Sequence, residues 1–184
     1  MKKKSSSLAD GDVTIELRDD PAYFALLDLG TYAKDLPDWD YASLTRRVAG
    51  QMRQARIVAW GCPEVLLRVR FTLSPLTPDV DARVVASMSG ALVTDGALCF
   101  AGYTSLTMCA QFPDQAFPQP ADTLLRVPKG RYKVVVHRLF EHEAGKQFPA
   151  GELPEGDHYV VELRRDPKAK APERSHVVWA PELP

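Results

Sequence analysis

Short runs in which apolar and polar side chains alternate, each closed by proline or glycine, constrain this chain more than any other feature. In residues 12–18, DVTIELR, Val13, Ile15 and Leu17 fall in phase, the period-two pattern of a strand with one buried face. A DDP turn and a second apolar run, AYFALLDLG, follow, and the two runs read as a hairpin or as adjacent strands. EVLLRVRFTL sets Arg68 and Arg70 in alternation with Leu67, Val69 and Phe71, so one face of that strand is wet. The stretch 82–112 reads as strand material broken at Asp95-Gly96, a dipeptide favoured in hairpins. TLLRV, Pro128-Lys129-Gly130, RYKVVVHRLF, HYVVELRR and a last short strand, HVVWA, complete the series, and most of the prolines fall between runs. The period changes only at 38–54, where Tyr41, Leu44, Val48 and Met52 stand three to four apart. That spacing places them on one face of a helix, with Asp38 or Asp40 available to cap it.

The expected fold is therefore mainly β: a two-layer β-sandwich with one α-helix. The halves share a plan. With Gly61 laid on Gly130, Val65-Leu66-Leu67 falls on Val134-Val135-Val136 and Phe71 on Phe140; upstream, DDPAYFALL falls on TDGALCFAG. The match is short and gapped, so a duplication and a generic likeness of strand-turn-strand units both stay open. Two amphipathic sheets, neither able to bury its apolar face alone, would close on each other. The 184 residues fit one domain over 12–184, with residues 1–11, MKKKSSSLADG, as a mobile tail.

Composition narrows the functional classes. A net charge of −1 does not suggest nucleic-acid binding by the molecule as a whole. No 18-residue apolar run suggests a membrane span, and the basic start lacks the apolar stretch of a secretory signal. Cys62, Cys99 and Cys109 contain no CxxC pair and read as small buried hydrophobes of a reducing compartment. The default address is the cytoplasm. His137, Glu141, His142 and Glu143 cluster in sequence without HExxH or CxxC spacing, so no metal site is assigned. There is no GxSxG, GxxxxGK[ST] or GxGxxG motif. The paired carboxylates, such as Asp19-Asp20, occupy turns, where near-normal pKa values make poor general acids at neutral pH. No catalytic residue, cofactor or metal ligand is assigned, and the chain is not expected to be an enzyme.

Charge is unevenly spread. Between Leu8 and Asp40 nine acids face two bases; between Arg46 and Arg83 seven arginines face three acids. The two regions are either solvated faces that partly neutralise each other, or the first is an acidic docking surface. Residues 33–41, AKDLPDWDY, set Asp35, Asp38 and Asp40 around Trp39, as an interface anchor ringed by acids would be. The alternative is that Trp39 and Tyr41 pack the helix start against the sandwich.

The segments VVASMSGALVTDGALCFAGY, LLRVPKGRYKVVV and GDHYVVEL, with Pro128, Lys129, Gly130, Tyr132 and Tyr159, resemble the competence protein J family of bacteria. The N-terminal half follows the same plan through VTIELRDDPAYFALLDL and EVLLRVRF. The loops at 72–82 and 141–157 and the final strand are additions. The resemblance implies a small β-sandwich that binds and inhibits a nuclease, or an immunity-type protein that neutralises a partner enzyme. The matched residues are structural, so no functional residue carries over. Clustered carboxylates suit such a role, since a phosphate-binding cleft is basic. The partner is thus expected to be a protein, met through Asp35, Asp38, Trp39 and Asp40. The competing expectation is an enzyme or ligand-binding sandwich with its site near 137–158, drawing on His137, His142 and His158.

Overall fold

The computed structural model describes residues 5–17, 22–32, 40–63, 66–112, 114, 116–118, 123–141, 155–173 and 177–179. Among these residues ten strands form two five-stranded sheets. The strands are β1 (Ser5–Ser7), β2 (Val13–Leu17), β3 (Ala22–Asp28), β4 (Ile57–Cys62), β5 (Leu67–Thr72), β6 (Ala86–Thr94), β7 (Ala97–Gly102), β8 (Thr123–Arg126), β9 (Gly130–Arg138) and β10 (Tyr159–Arg165). The first sheet runs β1-β8-β7-β3-β4 and the second β2-β5-β10-β9-β6. Helices α1 (Tyr41–Arg53), α2 (Pro78–Asp81) and α3 (Tyr103–Gln111) complete the described elements.

The two-sheet sandwich matches the sequence pattern. Alternate residues of β5, Leu67, Val69 and Phe71, are buried, whereas Arg68 is exposed and Arg70 half-buried. The second sheet therefore keeps a wet face along β5, although β10 is buried on both sides over Tyr159–Leu163. The first sheet does not: β4 is buried at every position, because a helical layer covers its far side. There, Tyr23 of β3 meets Tyr103 of α3 with ring centroids 5.3 Å apart, and Tyr41 of α1 joins Tyr103 at 5.6 Å. Between the sheets lies an aromatic centre. Phe100 meets Phe24 at 5.2 Å and Phe71 at 5.0 Å, both edge-on, and stacks on Trp60 at 5.9 Å. Such pairs each add about 0.5–1.5 kcal/mol beyond the area they bury.

The short connections depart from expectation. β2 lies in the second sheet and β3 in the first, so 12–18 and 22–30 are neither a hairpin nor adjacent strands. The same holds across Asp95-Gly96, which joins β6 of the second sheet to β7 of the first. Gly96 supplies the positive φ of 111° that the turn needs, but the chain leaves it into the facing sheet. β4 to β5 and β8 to β9 also change sheets. Turn chemistry specifies a reversal; it does not say whether the next strand pairs beside the last or packs opposite it.

These crossings reveal the repeated plan. β2-β3-α1-β4-β5 and β6-β7-α3-β8-β9 each run second sheet, first sheet, helix, first sheet, second sheet. The halves meet at the antiparallel β3–β7 pair in the first sheet, while β10 fills the seam of the second, parallel to β5 and antiparallel to β9. The equivalence of residues needs correction. Ala22 pairs with Cys62 as Ala97 pairs with Arg126. Leu17 pairs with Leu67 as Leu92 pairs with Tyr132. Leu67, Val69 and Phe71 therefore correspond to Tyr132, Val134 and Val136, and Gly61 is not the counterpart of Gly130. Gly61 lies inside β4, whereas Gly130 opens β9.

Three local expectations also change. Ser5–Ser7, assigned to the mobile tail, pair in parallel with β8, and Leu8 is buried in the core. Residues 103–111, read as strand, form α3, whose buried Leu106, Cys109 and Ala110 have helical spacing. Of the final strand only 177–179 are described, and there Val178 forms a single bridge to Trp60. α1 agrees with the sequence: Leu44, Val48 and Met52 are buried along one face. Among the described residues no helix is long and apolar enough to cross a membrane.

Candidate functional site

The open face of the second sheet holds most of the described polar chemistry. Thr14 and Glu16 on β2 lie opposite Arg70 and Arg68 on β5. Asp157, just before β10, bridges both arginines, 2.8 Å from Arg70 Nε and 3.6 Å from Arg68 Nε, and Arg70 Nη1 also reaches Asp12 at 3.1 Å. The acidic and basic regions of the sequence thus neutralise each other here, with Asp12 and Glu16 set against the arginines. Pairs that solvent still reaches contribute on the order of 1 kcal/mol, so their main effect is to fix charge positions on this face.

Next along the face, β10 carries Glu162 at an outward-facing register between Thr72 and Val135. Its side chain is nonetheless 0% exposed. A carboxylate without solvent needs donors, and Arg164, two residues on and on the same side, supplies two: Nε to Oε1 at 2.6 Å and Nη2 to Oε2 at 2.7 Å. His137 Nε2 stands 3.5 Å from Glu162 Oε2, and His137 Nδ1 is 2.9 Å from Ser87 Oγ. Burial holds the imidazole below its ordinary pKa of 6.5, with Glu162 and Asp81 opposing and Arg164 reinforcing the shift. A serine, an imidazole and a carboxylate in series are the parts of a nucleophile relay. Here the carboxylate is engaged by Arg164 and the imidazole–carboxylate gap exceeds an ordinary hydrogen bond. The series works as a polar seam joining β6, β9 and β10.

His158 also has a structural task. Its Nδ1 accepts from the backbone N–H of Arg68 at 2.8 Å, and the backbone N–H of His158 donates to the Arg68 carbonyl at 2.9 Å. His142 lies outside the described residues. Among the described residues no three His, Cys, Asp or Glu side chains gather as metal ligands. All three cysteines are buried.

Of the four residues assigned to partner binding, Asp35, Asp38 and Trp39 lie outside the described residues. Asp40 is exposed and caps α1. Its carboxylate accepts from the Ser43 N–H while Ser43 Oγ accepts from the Asp40 N–H at 2.8 Å, a reciprocal capping box. The Ser43 backbone N–H, and after it the Ser43 side chain, hold the Asp40 carboxyl below its ordinary 3.8. Tyr41 packs on Tyr103, so for this residue the packing alternative holds.

Sequence reasoning missed Asp157, Glu162 and Asp28. Asp28 is buried at the end of β3 and accepts from the backbone N–H groups of Gly30 at 3.0 Å and Asp95 at 3.1 Å, tying the β6–β7 turn to the first sheet. The signal for Glu162 was present: a lone acid inside YVVEL, with an arginine two residues later.

Neither a family model nor a curated protein matches the chain. Two solved structures are similar to it. "Crocagin biosynthetic gene J" is 17% identical with a TM-score of 0.55, over 84% of this chain and 97% of that one. ComJ from Bacillus subtilis, titled an inhibitor of the DNA-degrading activity of NucA, is 11% identical with a TM-score of 0.48, over 84% of this chain and 96% of that one. The first establishes a shared fold.

Proposed function

We propose that this chain is a binding protein that docks on a partner enzyme and restrains it, as an inhibitor or immunity-type protein does. The nuclease as the restrained enzyme comes from the resemblance to the competence protein J family. The observation that carries the reading is Asp40. It is solvent-exposed, yet its carboxylate is fixed by Ser43 at the first turn of α1. It closes a segment in which Asp35 and Asp38 flank Trp39. A charge held in place before binding loses little freedom on association and steers a basic partner. Asp12 and Glu16 face arginines, which leaves the later acids as the steering group.

The test is capture of the partner from the source cells on the immobilised chain, followed by association kinetics at several salt concentrations. Neutralising Asp35, Asp38 and Asp40 together to Asn keeps a capping residue at position 40 while removing three charges. The association rate should fall about tenfold or more at low salt and lose most of its salt dependence, and the captured enzyme should be inhibited by the wild-type chain. An unchanged rate, or a partner whose activity is unaffected, would overturn the proposal.

A further inference from the structure

Along β9, Tyr132, Val134 and Val136 face the core, and Arg138 continues the same series. An arginine therefore stands where the pattern calls for an apolar side chain, and it is only 8% exposed. Its guanidinium lies 4.9 Å from the ring centroid of Trp179 and 5.9 Å from that of Phe140. Its Nε is buried with no acceptor, and among the described residues no hydrogen bond or ion pair reaches it. The acids of the open face are engaged elsewhere, Asp157 with Arg68 and Arg70, Glu162 with Arg164.

A guanidinium cannot shed its proton to escape burial. Cation–π contacts offset part of its lost hydration but satisfy none of its donors. A second orphan sits in the same cluster. The indole N–H of Trp60 is buried without an acceptor, and its ring packs on Tyr159 at 6.1 Å. Tyr159 is the cross-strand neighbour of Arg138 and stacks on Trp179 at 6.3 Å. Its own hydroxyl donates to the Gly61 carbonyl. Two unpaired donors thus border one set of rings, under a strap in which Val178 pairs with Trp60 and Trp179 adopts a positive φ of 63°.

We propose that this end of the sandwich, at Arg138, Trp60, Phe140, Tyr159 and Trp179, is a binding site for a small planar carboxylate. The anion takes the guanidinium donors, and the flat body of the ligand lies among the rings. The assignment uses none of the residues of the acidic segment before α1 and does not depend on the docking role.

The probe is benzoate, with inorganic phosphate as the comparison, titrated calorimetrically into the full chain while tryptophan emission is followed. Benzoate should bind saturably and raise the thermal midpoint. Arg138→Met should weaken it at least about tenfold. Arg138→Met should also leave the ligand-free protein as stable as the wild type or more so, since an apolar side chain replaces one that buries a donor without an acceptor. Trp179→Leu, which keeps the arginine, should weaken benzoate without abolishing it. No binding at millimolar benzoate, equal affinity in the Arg138→Met protein, or binding of phosphate in place of benzoate would overturn the assignment.

Discussion

At the scale of single residues, the polar groups that matter are those the fold has buried. His137 is held below its ordinary 6.5 mainly by desolvation. Just below that pH the unfolded chain binds more protons at this position than the folded one does. The stability it contributes is complete above about 6.5 and drains away as the pH falls from there through the folded value. Urea midpoints measured from about pH 7.5 down to about pH 5 should fall less steeply in His137→Asn than in the wild type; parallel profiles would show that the imidazole titrates freely. These residues were also the least legible in the sequence. Arg138 and Glu162 look like ordinary charges in a list, and only the strand register shows that one points into the core and the other is sealed on the opposite side. Glu162 is held by the half-exposed Arg164 and Arg138 lies against aromatic rings, and period-two patterning carries no information about either contact.

At the scale of elements, the sequence was most legible where one face is wet and one dry. β2, β5 and β9 alternate, and α1 changes to helical spacing with an aspartate before it. α3 was missed because Thr, Ser, Cys and Tyr are weak helix formers; packing on the buried first sheet decides its conformation, and the spacing of Leu106, Cys109 and Ala110 was the surviving clue. The sheet crossings were missed because Asp95-Gly96 makes a turn in either architecture. The closeness of the sheets gives a prediction at this scale. A Cβ at Gly90 of β6 would lie 3.0 Å from Val58 Cγ2 of β4, so Gly90→Val overpacks the interface and should cost about 1–3 kcal/mol. Val58→Ala in the same chain should recover part of that loss, because it removes the atoms the new side chain meets. Equal denaturation midpoints for wild type and Gly90→Val would mean that the sheets are not in contact there.

At the scale of the whole molecule, two units of one plan meet along β3 and β7 and are sealed by β10. Among the described residues this arrangement covers the outer side of the first sheet with helices and leaves the outer side of the second exposed mainly along β5. The sandwich and the likeness of its halves could be read from hydrophobic periodicity, since each half carries the same order of apolar runs. The functional surface could be read only as a concentration of charge, because an interface is defined by its partner and this chain's own packing does not select it. Asp40 alone among the four proposed contacts is fixed by the described structure, so the account depends on where a partner lands. The most direct measurement is amide hydrogen exchange of the chain with and without the captured enzyme. The account predicts slowed exchange across residues 33–41 and the first turn of α1. Protection confined to 137–158, with 33–41 exchanging as in the free protein, would contradict it.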